Sequence, residues 1–105
     1  MQLFVKSTLS FEAEAEQIAA IALPGYQHEC GDGLNLGGGD YYKFWRDDSV
    51  VLLVVNDAAH SEVFIPARSE FSYYLYVRRG PESVLGAAAA ALSGNGILCE
   101  LADEA

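Results

Sequence analysis

The stretch that most constrains this chain is Val50-Val51-Leu52-Leu53-Val54-Val55, six apolar residues without a polar interruption. Four of the six are β-branched, and the run is too short for a helix, so it reads as a strand. Asp47-Asp48-Ser49 before it and Asn56-Asp57 after it supply turn chemistry. Successive strand side chains point to opposite faces. A strand apolar at every position therefore needs cover on both faces, which places it centrally in a sheet.

The rest of the chain arranges itself around that strand. Leu3 to Lys6 reads as a short first strand, and Ser10 as the N-cap of a helix whose apolar stripe is Phe11, Ala15, Ile18 and Ala22. Glu12, Glu14 and Glu16 put negative charge at the positive end of that helix and are expected to face water. Leu23-Pro24-Gly25 stops it. Tyr26 to Cys30 is a candidate strand, Gly31-Asp32-Gly33 a turn, and Tyr41 to Arg46 the strand that precedes the central one in a hairpin turned at Asp47-Asp48. Ser61 to Ile65, ended by Pro66, is a further candidate strand.

In Phe71 to Val77, Phe71, Tyr73, Leu75 and Val77 are expected on one face, with Ser72, Tyr74, Tyr76 and Arg78 on the other. Gly80-Pro81-Glu82 opens a second helix with Pro at its first position, and Val84, Leu85, Ala88 and Leu92 form its buried face. Gly94-Asn95-Gly96 ends it, and Ile97, Cys99 and Leu101 alternate in a last strand. These elements predict one α+β domain over residues 1–105: a mainly antiparallel sheet of four to six strands with both helices on one face.

Composition narrows the partners. Fifteen acids against six Lys and Arg give a formal charge of −9, which opposes nucleic acid and anionic membrane surfaces and favours basic partners. No apolar run reaches membrane-spanning length, and the N-terminus lacks a signal-peptide pattern, so the expectation is a cytoplasmic protein. Cys30 and Cys99 lie in or beside apolar strand-like segments and are read as buried, reduced thiols.

Catalytic and metal chemistry finds little purchase. Gly37-Gly38-Gly39 lacks the Gly-Lys-Ser/Thr continuation and the following helix of a phosphate loop. No nucleophile is coupled to a base, and the acids sit in connections, where carboxylates are solvated. His28 and Cys30, two apart on a strand, point to one side; with His60 and an acid such as Asp32 they form the only candidate metal or small-molecule site. The expectation is a non-enzymatic protein with no cofactor.

The aromatic residues are more suggestive. If Tyr42 and Phe44 face the helices, Tyr41, Lys43 and Trp45 share the other face, joined by Tyr74 and Tyr76 if the strands are close. Two helices cover one side of such a sheet. The uncovered aromatics are then either amphipathic side chains tolerating water or the surface of a homodimer or partner contact.

The order of elements, with Asp40-Tyr41-Tyr42-Lys43-Phe44 after a Gly-rich approach and Phe71-Ser72-Tyr73-Tyr74-Leu75-Tyr76-Val77 before a closing helix and strand, resembles small cytoplasmic immunity proteins of bacterial polymorphic-toxin and contact-dependent inhibition systems. That resemblance implies a protein that neutralises one cognate toxin domain, often a basic nuclease, without doing chemistry. The contact expected is the acids Asp32, Asp40, Asp47, Asp48, Asp57 and Glu62, edged by Tyr41 and Trp45, with the aromatic face of Tyr41, Trp45, Tyr74 and Tyr76 lying in a self or partner contact.

Overall fold

The computed structural model describes residues 1–31, 41–56 and 65–103. It is an α+β fold built on a six-stranded antiparallel sheet. The elements run β1 (Gln2–Val5), α1 (Phe11–Gln17), β2 (Gln27–Gly31), β3 (Tyr41–Arg46), β4 (Ser49–Val55), β5 (Tyr73–Arg79), α2 (Ser83–Gly94) and β6 (Cys99–Ala102). The strand order is β2-β3-β4-β5-β1-β6. Helices carry the connections from β1 to β2 and from β5 to β6. The sub-order β6-β1-β5-β4 has the connectivity of a split β-α-β arrangement, with the β2–β3 hairpin added at its outer edge.

β4 lies inside the sheet, as its composition requires. Val51 and Leu53 pack under the helices, Leu52 and Val54 face the other side, and all four are buried. Both helices press on the same face, against Leu3, Val5, Phe44, Val51, Leu53 and Leu75.

Local chemistry explains the helix ends. Ser10 is extended, and its hydroxyl accepts the Ala13 N–H at 3.2 Å, taking up one of the orphan donors of α1. Past Gln17 the coil widens into a π-helix over Ile18–Ala22, where the Leu23 N–H reaches the Ile18 carbonyl at 2.8 Å. Ala15, Ile18 and Ala22 are buried and Phe11 is partly so, as their spacing predicts.

At the far end of α2, Ile97 N–H bonds the Leu92 carbonyl and Gly96 N–H the Ser93 carbonyl, both at 3.0 Å. This is a Schellman cap, and Gly96 supplies its left-handed residue with φ 76°.

Several expectations are corrected. Glu14 is fully buried, unlike Glu12 and Glu16, which are exposed. Regular α2 begins at Ser83 with Glu82 as its cap residue, so Pro81 stands before the helix instead of at its first position. Phe71 precedes β5 and packs on the helix-free face, while Tyr73, Leu75 and Val77 face the helices. Cys30 is exposed and Cys99 half-buried; both are free thiols. The expected turn at Gly31-Asp32-Gly33 reaches beyond the described residues after Gly31, and the Gly37–Gly39 connection lies outside them. So does the candidate strand Ser61 to Ile65 except Ile65, after which Pro66–Arg68 forms a 3-10 turn. Among the described residues, no helix is long and apolar enough to cross a membrane.

Candidate protein-binding face

Strand register places the candidate aromatics on one side of the sheet. Tyr41 stands opposite Val54 and Val54 opposite Tyr74; Lys43 stands opposite Leu52 and Leu52 opposite Tyr76; Trp45 stands opposite Val50. Directly opposed residues share a face. Tyr41, Trp45, Tyr74 and Tyr76 therefore lie together on the helix-free side, with β4 between their strands.

That face is not uniformly open. The segment from Ile65 to Phe71 folds over part of it. Phe71 packs its ring 5.9 Å from that of Phe4, and the Arg68 guanidinium lies 5.8 Å from the Phe4 centroid while bonding Glu100 at 3.0 Å. Asn56 pins the segment down. Its side-chain amide donates to the carbonyls of Arg68 (2.9 Å) and Phe71 (3.2 Å), and its oxygen accepts from Ile65 N–H (2.8 Å). Tyr74 is buried beneath this cover at 4 % exposure, so it does not present the open surface expected of it. Burial, reinforced by neighbouring Tyr76, pushes its hydroxyl pKa up to about 12.

Tyr41, Trp45 and Tyr76 are half-buried, and they form the accessible part of the face with Lys43 and Glu29. The Lys43 ammonium sits 5.4 Å from the Trp45 ring centroid, a cation–π distance. Tyr41 leans over the edge strand: a Cβ on Gly31 would fall 2.5 Å from its ring, so only glycine leaves room for that pose. Burial raises the Tyr76 hydroxyl pKa; nearby Arg78 opposes the shift and Tyr41 adds to it. Both neighbours flank a patch of rigid, two-sided side chains.

The acids divide. Asp47 and Asp48 are exposed at the β3–β4 turn, Asp47 with φ 51°, a conformation that Asp tolerates. Exposed Arg46 and Arg79 share that end of the sheet, so its charge is mixed. Asp32, Asp40, Asp57 and Glu62 lie outside the described residues; the flanking Gly31, Tyr41 and Asn56 stand at the opposite end from Asp47 and Asp48.

His28 and Cys30 do share the helix side of β2, but both are exposed. His28 stacks on Phe44 with centroids 5.2 Å apart. His60 lies outside the described residues, and among the described residues no group of three or more His, Cys, Asp and Glu could hold a metal ion.

Sequence reasoning missed Glu14. Desolvation raises its carboxyl pKa, and a hydrogen bond from Ser7 works against that shift. With the Gln17 amide nitrogen turned toward it, Gln17 donates to both Glu14 oxygens at 2.8 and 3.2 Å. Ser7 and Gln17 also line an open cleft of about 500 Å³ with Lys6, Glu70, Ser72 and Leu98. The signal available in the sequence was Ala15 and Ile18 beside Glu14, an acid at the margin of the apolar stripe. No protein-family model, curated protein or solved structure matches the chain.

Proposed function

We propose that this protein is a non-enzymatic inhibitor of the immunity type, acting in the bacterial cytoplasm by binding a basic toxin domain. The observation that carries the reading is the joint partial exposure of half-buried Tyr41, Trp45 and Tyr76 on the helix-free face of a chain with charge −9. Trp and Tyr lose little side-chain entropy on binding and dominate contact energies, while net negative charge accelerates encounter with a cationic surface. Asp47 and Asp48, exposed at the turn that follows Trp45 and Arg46, put acidic groups beside the Arg residues at that end of the sheet.

The test is genetic and biochemical. A neighbouring reading frame is sought that encodes a secreted protein ending in a small basic domain, and that domain is expressed with and without this protein. Protection is expected, with Trp45→Ala and Tyr76→Ala each weakening the complex about tenfold or more, or roughly 1.4 kcal/mol. Asp47→Asn with Asp48→Asn should lower the association rate and flatten its salt dependence. Undiminished toxicity in the presence of the folded wild-type protein would reject the inhibitor reading.

A further inference from the structure

The sheet ends at two edges of different character. β2 exposes Gln27, His28 and Glu29, polar residues that discourage strand pairing. At the other edge, Leu98 is 66 % and Leu101 38 % exposed. The direction of the free backbone there follows from one hydrogen bond. Lys6 N–H donates to the Leu98 carbonyl at 2.9 Å, and the β1–β6 register, Val5 opposite Cys99, sets these two residues directly opposite each other. The hydrogen-bonded pairs are therefore Lys6–Leu98, Phe4–Glu100 and Gln2–Ala102. Cys99 and Leu101, lying between them, turn both N–H and C=O away from β1.

We propose that β6 pairs antiparallel with β6 of a second copy of this chain, about a two-fold axis through Leu101. An axis normal to the sheet keeps each face continuous with its like, and it must then pass through a residue, because opposed residues share a face. Centred on Glu100 it would oppose two carboxylates. Centred on Leu101 it sets an apolar side chain against its mate, and the two outward-turned Leu101 backbones exchange both of their hydrogen bonds.

Charge favours a second copy over a basic partner at this edge. Glu100 already bonds Arg68 of its own chain at 3.0 Å, and Asp103 lies 3.7 Å from the Met1 amine. Among the described residues each acid of this edge therefore has a cation beside it, the Met1 amine being shared with Glu82. α2 adds a fitting surface. Its Ser93 hydroxyl sits 3.4 Å from Cys99 Sγ, which fixes the side of the helix that looks toward β6. By helical spacing Gly86 and Ala90 share that side with Ser93, and all three are exposed. A Cβ on Gly86 would meet no atom of its own chain. Beside the axis the two α2 helices present only small side chains to each other.

The resulting sheet of twelve strands carries both Tyr41–Trp45–Tyr76 patches on one side, but the pairing does not rest on the inhibitor reading. Sedimentation or light scattering should give twice the 11.3 kDa chain mass. Leu101→Lys and Ala90→Arg, both at exposed positions, should weaken the dimer about tenfold or more while keeping the far-UV spectrum and melting of a folded chain. Trp45→Ala should leave the dimer intact.

Hydrogen-bonded antiparallel pairs bring Cα atoms to about 5.5 Å, within disulfide reach. Leu101→Cys in a Cys30→Ser, Cys99→Ser background should therefore crosslink two chains on mild oxidation, and His28→Cys in that background should not. A wild-type chain still monomeric at about 1 mM, where even a millimolar dimer is populated, overturns the proposal. So does a dimer that survives Leu101→Lys, or one lost on Trp45→Ala.

Discussion

Glu14 shows how much one side chain can depart from its neighbours. It shares a helix with Glu12 and Glu16, yet it alone has no accessible surface. Burial favours the neutral acid, so the folded state holds its proton more tightly than the unfolded chain does. At pH 7 the acid therefore lowers stability relative to a neutral isostere. That penalty fades as pH falls through the raised folded value toward the ordinary 4.5. Glu14→Gln keeps one acceptor oxygen, and its NH2 can donate to the Gln17 carbonyl once that amide turns; it should be more stable than wild type at pH 7, with the gain shrinking as pH approaches 4.5. Urea unfolding across a pH series measures this; a gain that is the same at every pH contradicts the assignment.

Among the elements, the Ile65–Phe71 segment is tied to the end of β4 by one buried side chain, Asn56. Asn56 is 4 % exposed, makes three side-chain hydrogen bonds to it, and sends its own N–H to the Ser72 carbonyl at 2.8 Å. Asn56→Ala removes the side-chain donor to the Arg68 and Phe71 carbonyls and the acceptor for Ile65 N–H, although the Arg68 carbonyl keeps the Phe71 N–H at 3.0 Å. The substitution should cost about 1–3 kcal/mol in denaturant unfolding. Asn56→Asp keeps the acceptor for Ile65 N–H but faces a carboxylate with the Arg68 and Phe71 carbonyls. It should be worse than Ala at pH 7 and recover on acidification, when the protonated acid can donate again. If Asp equals Asn at pH 7, the amide is not acting as the donor. Freeing this segment would also uncover Phe4 and Tyr74, so the shape of the candidate face depends on Asn56.

For the whole molecule, charge is the dominant long-range term. The ion pairs at Met1–Glu82 and Arg68–Glu100 are at the surface and contribute little, whereas fifteen acids against six bases repel one another. Raising salt from about 10 mM to 150 mM shortens the screening length from roughly 30 Å to 8 Å. The melting temperature should rise by a few degrees, since about 1 kcal/mol moves it by ~4–8 °C in a domain of this size. A fall in melting temperature with salt would mean that the surface pairs outweigh the net repulsion.

Local order in the sequence was enough for the elements themselves. The unbroken Val50–Val55 run required a strand covered on both faces, Ser10 and Gly96 marked helix ends, and Tyr73 to Tyr76 alternated as a strand must. These signals work because capping, turn chemistry and side-chain period act within a few residues. Which residue ends up under cover was decided elsewhere in the chain. Tyr74 is buried in a cluster with Phe4, Val54 and Phe71, although its pattern is that of half-exposed Tyr76. Cys30 is exposed because β2 is the sheet edge, although its neighbours suggested a core thiol. Glu14 is enclosed because Ser7 and Gln17 close on it. Periodicity tells which side of a strand or helix is apolar; what lies against that side is set by strand order and long-range contacts, and only the folded chain brings those together.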